Sequence, residues 1–296
     1  MIYLKKFETA SAYDTAKDNL ILPNVSFITE NRKVEYNPST PRETRVVLTF
    51  NVTSTTESTR ILSYSYESGF TAIEIDGVEQ PSVVDEYTFD TIGEHIVKYT
   101  LRDPTSFDNW CFSQCSDIIN VTIPDSMTSI SDGAFWQCQS LTSVTIGNGV
   151  TRIGDNTFRN CENLKRVNSD TDGVFNIPNG VTMIDCEAFR YISGVTSVTI
   201  PDSVVTIGYR AFRFCPNITT VTIGSGITTI GYESFYQCSA ITSVTIEATT
   251  PPELTNPTLS DWFPGNYPIY VPSGSVDAYK AAANWSNYAS RIQAIP

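Results

Sequence analysis

The sequence predicts a mainly β chain: a repeat solenoid, entered through a small β-sandwich and closed by a C-terminal strand and helix. Three observations predict it. A 23-residue period runs from about Asp108 to Glu247. The residues before it alternate apolar and polar side chains in short runs broken by turn formers. After it, the period gives way to a Pro-rich loop, a short apolar run and an amphipathic stretch.

Composition narrows the partners. The chain has 296 residues, 41% of them hydrophobic and 17% charged, and its 15 Tyr and 15 Phe lean towards strands. Its net charge of -13 is spread along the chain, -6 before residue 105 and -7 from there on. Nucleic acid and anionic membrane surfaces would repel such a chain. No stretch approaches the roughly 18 apolar residues that span a bilayer, so no membrane insertion is expected. The start, MIYLKKFETASAYD, has Lys5 and Lys6 but no apolar run after them, so it does not read as a signal peptide.

Residues 1–41 read as an N-terminal arm, with a short helix near Ser11–Asp18 and a hairpin turning at Glu30-Asn31. Residues 42–104 hold RVVLTFNV, RILSYSY, TAIEIDG, EYTFDT and EHIVKYTLRD, which suggest an antiparallel, immunoglobulin-like β-sandwich. GEHIVKYTLRDPTSF then enters the repeats without a flexible linker, so rigid docking is expected.

Residues 105–247 carry about six repeats, whose period lies in the range of leucine-rich repeats. Ser140–Glu162 reads SLTSVTIGNGVTRIGDNTFRNCE. An aromatic ladder runs through Phe112, Phe135, Phe158, Phe189, Phe212 and Phe235, in steps of 23 except for one step of 31 that holds an insertion around NSDTDG. Three residues after each Phe stand Cys115, Cys138, Cys161, Ile192, Cys215 and Cys238. Strand rungs repeat in step, from Val121/Ile123 to Val244/Ile246, with Phe175/Ile177 in the unit after the insertion. Alternate side chains should point inward, and each turn buries its rungs only against its neighbours. Fully burying one Phe or Ile stabilises by about 1.5–3 kcal/mol.

These units resemble the BspA-like class of leucine-rich repeats found in bacterial surface proteins, with the pattern VTIPxxVTxIGxxAFxxCxxLTS. The resemblance implies a parallel sheet on the concave side of a leucine-rich-repeat solenoid, with the Phe and Cys rungs inside. It also implies cell-surface adhesion and host-protein binding. Tyr191-Ile192 departs from the pattern by replacing the usual polar-Cys pair. Residues 248–296 form a C-terminal cap: a strand near Ile269–Val271, then a helix starting near Ser275 as N-cap with Tyr279 and Ala282 on its apolar face. IYVPSGSVDAYKAAANW also resembles the terminal cap of BspA-like proteins.

Catalytic patterns are missing. Nucleophile-base catalysis usually needs a His near the nucleophile, and the one histidine, His95, falls in a strand of the expected sandwich with Ile96 and Tyr99, which reads as structural. The cysteine rungs read as small buried fillers, because Ile192 occupies the same position. Asn168 to Gly173 matches the first half of a calcium loop, but Asn179 stands where the closing Glu is needed, so a solvated turn is the better reading. Asp125, Asp132, Asp155 and Asp202 fall in turns, where Asp caps backbone. Neither an enzymatic activity nor a cofactor is expected.

The sheet face offers Asn120/Thr122, Ser143/Thr145, Ser197/Thr199, Thr220/Thr222 and Ser243/Thr245, a hydroxyl-rich and nearly charge-free surface for a protein or glycan. Tyr209 and Tyr232 are candidate hot spots; Tyr191 and Tyr236 lie with them on the outer edge. The expectation is an adhesin-like interaction module at the cell surface or outside the cell, binding a host or neighbouring-cell protein or glycan. The alternative is a structural subunit of a larger assembly, such as a phage virion or appendage, docked through residues 1–41. The sequence leaves the oligomeric state open.

Overall fold

The computed structural model describes residues 44–63, 67–255 and 262–296, and two short strands nearer the N-terminus. The chain divides into two compact units, Met1–Arg42 and Glu43–Pro296. In the first, strands Phe27–Thr29 and Arg32–Val34 pair antiparallel. The helix expected near Ser11–Asp18 and the Glu30-Asn31 turn lie outside the described residues.

The second unit is a solenoid wound between two sheets. Its long sheet takes one strand from each repeat, such as Ile118–Thr122, Ser143–Thr145, Ser197–Ile200, Thr220–Ile223 and Ser243–Ile246, all parallel. Opposite runs a six-stranded sheet of two-residue strands, from Ser129–Ile130 to Glu253–Leu254. Pairing keeps the 23-residue register, as in Val198↔Val221↔Val244. The period-2 alternation explains this: rungs such as Val121, Val144, Val198, Val221 and Val244 are buried while the intervening Ser and Thr face out.

Between the sheets the phenylalanines stack. Successive ring centroids from Phe112 to Phe235 lie 5.2–5.5 Å apart with planes within 12° of parallel. The column continues to Phe263, 5.7 Å beyond Phe235, a rung the repeat spacing did not reveal. Two left-handed residues flank each Phe, at Trp110 and Gln114 in the first repeat and at Glu233 and Gln237 in the last. This zigzag turns alternate N–H groups along the solenoid axis: Trp110, Phe112 and Gln114 donate to the carbonyls of Asp132, Ala134 and Trp136. Three hydrogen bonds per turn offset the strain of the left-handed residues.

Three expectations need correction. Residues 42–104 do not form a self-contained sandwich. Strand Arg45–Val52 pairs antiparallel with Gly93–Leu101 on one side and with Ile118–Thr122, the first repeat strand, on the other. Phe70–Ile75 and Val78–Glu79 extend the same sheet, while the ribbon of Thr59–Arg60 with Glu86–Tyr87 lies outside it. Alternation reports one buried face per strand, and it cannot say which sheet the strand joins. This segment is therefore an antiparallel cap fused to the solenoid.

The insertion also differs from a simple turn. Arg166–Val167 and Val174–Asn176 both enter the long sheet, which gains a strand there, while Phe158 and Phe189 still stack 5.5 Å apart. Where the first of these strands stops, the Asn168 side chain takes over: Oδ1 accepts from the Ile146 N–H at 2.6 Å and Nδ2 donates to the Ile146 carbonyl at 2.9 Å.

At the C-terminal cap, Ile269–Val271 and helix Val276–Ala281 stand where expected. Ser275 makes no side-chain cap hydrogen bond, because a 3-10 turn over Ser273–Ser275 feeds straight into the helix. A further strand, Ile292–Ala294, ends the long sheet. The cap also closes the short-strand sheet: Trp285 Nε1 donates to the Pro252 carbonyl at 2.7 Å and Asn284 Nδ2 to the Leu254 carbonyl at 3.0 Å. These side chains supply donors that a next repeat would otherwise provide.

Candidate interaction surfaces

Threonine recurs at three positions of the repeat, and the three behave differently. In one ladder the hydroxyls of Thr142, Thr219 and Thr242 donate to the carbonyls of Ile119, Thr196 and Thr219, at 2.9–3.0 Å. In a second, Thr151, Thr182 and Thr228 reach the carbonyls of Thr128, Thr151 and Val205, at 3.0–3.2 Å. These hydroxyls fasten one repeat to the next. The third ladder, on the long-sheet face, holds Thr122, Thr145, Thr199, Thr222 and Thr245, whose hydroxyls bond to no other described residue. Their donors and acceptors face outward.

The sheet gathers these candidates into two blocks. Thr122 pairs with Thr145, beside Asn120 and Ser143. Thr199, Thr222 and Thr245 align with one another, beside Ser197, Thr220 and Ser243. Asn176 and Tyr270 extend the second row at its two ends. Between the blocks stand Arg166 and Val174, and Arg166 pairs with Asp172 of the insertion at 3.4 Å. Exposure varies within the blocks: Thr122, Thr145, Thr199 and Thr220 are exposed, while Ser143, Ser197, Thr222, Ser243 and Thr245 are half-buried.

Tyr209 and Tyr232 lie elsewhere. Each follows a two-residue strand, Thr206–Ile207 and Thr229–Ile230. Their rings stack at 4.5 Å and the Tyr232 hydroxyl donates to that of Tyr209 at 3.1 Å. Arg210 lies over Tyr209 at 4.2 Å and donates to the Tyr232 hydroxyl at 3.1 Å. Burial pushes the Tyr209 phenol up to about 12, the Tyr232 hydroxyl adds to the shift, and the Arg210 guanidinium opposes it.

Arginine was the residue type that sequence reading passed over. Arg159, Arg190, Arg210 and Arg213 share two carboxylates: Glu187 receives Arg159 at 2.7 Å, Arg190 at 2.8 Å and Arg210 at 3.6 Å, while Glu233 receives Arg210 at 2.6 Å and Arg213 at 3.2 Å. Arg190 covers Tyr191 and Arg213 covers Phe214, each at 4.7 Å, and these two rings stack at 4.8 Å. The signal was present as RYI, YRAFRF and YESFY, residues that fall on the same edge once the left-handed positions are placed.

The turn acids do structural work. Asp132 and Asp155 accept the N–H groups of Asp155 and Cys186, at 3.0 and 2.8 Å. Asp202 accepts the N–H and hydroxyl of Ser225, which hold it below the usual carboxylate range. His95 ties its strand to a turn through Asp76 at 2.6 Å and the Thr91 carbonyl at 2.9 Å. All seven cysteines are free thiols, six buried and Cys186 half-buried. Asp170 and Asp172 of the insertion are exposed, and among the described residues no three His, Cys, Asp or Glu gather as a metal site. Among the described residues, too, no helix is long and apolar enough to cross a membrane.

Residues 49–172 and 173–254 match the BspA type leucine rich repeat region in six copies. No curated protein matches the sequence. Among solved structures, the pneumococcal vaccine antigen PcpA is 18% identical with a TM-score of 0.46, over 66% of this chain and 44% of that one. The leucine rich repeat protein of T. pallidum is 26% identical with a TM-score of 0.39, over 43% and 58%. A leucine rich cell surface protein of Faecalibacterium prausnitzii is 28% identical with a TM-score of 0.32, over 56% of each chain. The chain spans about half the length of these solved proteins.

Proposed function

Because the chain belongs to the BspA-type leucine-rich-repeat family, whose repeats generally mediate protein interactions and are generally non-enzymatic, we propose that it is an interaction module of adhesin type. It binds a host or neighbouring-cell protein or glycan on its long-sheet face, at the cell surface or outside the cell. One observation carries the reading. The hydroxyls that the fold needs are already bonded to carbonyls, whereas Thr122, Thr145, Thr199, Thr222 and Thr245 present theirs outward in register. Parallel pairing sets neighbouring rows about 4.8 Å apart, so a partner meets a regular array of groups that can each donate or accept.

The test is binding to immobilised matrix proteins and a glycan array, alongside a variant carrying Thr145→Glu, Thr199→Glu and Thr222→Glu. Saturable binding that the variant loses supports the reading. Binding that the variant keeps, or none by either chain, sinks it.

A second reading, a subunit of a larger assembly such as a phage virion or appendage, draws on the separate compact unit of Met1–Arg42, which could serve as a docking arm. Removing residues 1–42 would then abolish co-assembly and leave the melting of the remainder unchanged.

A further inference from the structure

We propose that the edge of the solenoid running from Trp110 to Tyr236 is a second docking surface, shaped for an acidic segment of a protein partner. The inference stands apart from the long-sheet reading, since it uses none of the same residues.

Composition along this edge is the first support. Trp110 and Trp136 meet edge to face at 5.7 Å, then follow Tyr191, Phe214 and Tyr236, with Tyr209 and Tyr232 alongside. All are half-buried. Trp, Tyr and Arg are the residues on which interface energy concentrates.

Charge is the second. Four guanidinium groups here share two carboxylates, so this cluster holds two more positive than negative charges on a chain whose net charge is -13. A carboxylate approaching the cluster meets this local surplus of positive charge.

Order is the third. The Arg190, Arg210 and Arg213 guanidinium groups lie 4.2–4.7 Å from the rings of Tyr191, Tyr209 and Phe214 while also paired to Glu187 or Glu233. Little rotamer freedom remains to be lost on binding.

The same stacking distinguishes between partner classes. Sugars bind aromatic faces, but the faces of Tyr191 and Phe214 are already occupied by each other and by arginine. What remains open is the half-buried rings and 12–31% of the arginine side chains, a mix that suits carboxylates and apolar side chains of a protein.

The test uses the full chain and fluorescence anisotropy with a labelled synthetic peptide rich in Glu and Tyr, beside a Lys- and Tyr-rich peptide and a heparin fragment. The expected result is binding of the acidic peptide alone, weakening as salt rises, and falling about tenfold or more in the Arg190→Gln, Arg213→Gln double variant. Thr199→Glu with Thr222→Glu should leave it unchanged. If the double variant fails to melt cooperatively, Arg190→Lys with Arg213→Lys keeps the charge but loses the planar fork, and the same loss of affinity is expected. Absence of peptide binding at low salt overturns the proposal, as does heparin binding in its place. Sedimentation showing that the double variant abolishes a dimer would overturn it in favour of a second copy of this chain as occupant.

Discussion

The thiol of Cys215 donates to the carbonyl of Phe189, one repeat earlier, over 3.2 Å. The same bond joins Cys138 to Phe112, Cys161 to Phe135 and Cys238 to Phe212, each at 3.1 Å. The rung therefore asks for more than a small apolar filler: it favours a side chain that fills the space and also donates one weak hydrogen bond to the turn beneath. Ile192 fills without donating, and the Phe158 carbonyl below it keeps the Cys161 N–H at 3.2 Å. Cys215→Ile removes the donor and forces extra carbon into a closed rung. The expected loss is about 1–3 kcal/mol, read from the shift in urea midpoint; an unchanged midpoint would show that filling alone matters.

Thiol chemistry offers an independent check. Burial raises Cys111, Cys115, Cys138, Cys161 and Cys215 above the ordinary thiol range, and Cys186 is raised by its partial burial and then by Asp155 beside it. A raised pKa lowers the reactive thiolate fraction at a given pH, so alkylation should accelerate as pH rises. With iodoacetamide, mass spectrometry should find Cys186 modified first and slowly in the native chain, and the buried thiols modified only in denaturant. Rapid labelling of any buried rung would contradict the packing.

Much of the solenoid was legible because each repeat states the same pattern again, so strand rungs, Phe ladder and Cys rungs could be aligned without knowing the fold. Phe263 was hidden because it follows Phe235 by 28 residues rather than 23. The fused cap at residues 45–101 was hidden because sheet membership depends on long-range pairing, here Leu48 with Val121. Arg190, Arg210 and Arg213 were hidden because an arginine in a sequence reads as solvated surface until backbone turns show which residues share an edge. The threonine face was legible as an alternation, but only hydrogen bonding separates its free hydroxyls from the two fastening ladders.

Gly133 illustrates a local demand that the repeat does not share. Its φ of 61° is matched by Asn156, Glu187, Arg210 and Glu233 at the same position, so left-handed backbone alone does not require glycine there. What differs is Trp110, whose Cε3 would stand 2.1 Å from a Cβ on Gly133. Gly133→Ala should displace the indole, shift tryptophan fluorescence and destabilise by about 1–2 kcal/mol or more. Adding Trp110→Asn should recover most of that loss, since the clash disappears; no recovery would place the cost in the backbone instead.

Glu187 is the most connected acid of the edge, touching Arg159, Arg190 and Arg210 with its side chain only 11% exposed. Breaking a fully buried pair costs about 3–5 kcal/mol, but the arginines here are 12–31% exposed and partly screened, so about 1–3 kcal/mol is expected for Glu187→Gln. Raising the salt should narrow the difference from the parent chain, because screened guanidinium groups repel less once their shared carboxylate is gone. Glu233→Gln should cost less, as Glu233 serves two arginines, Arg210 and Arg213. Since Arg210 leans on both acids, either single variant leaves it one carboxylate and the double variant leaves it none, with only Tyr209 and Tyr232 beside it. Their combined loss should therefore exceed the sum of the two by about 0.5 kcal/mol or more. Strict additivity in that cycle would mean that Arg210 is held by Tyr209 and Tyr232 rather than by the carboxylates.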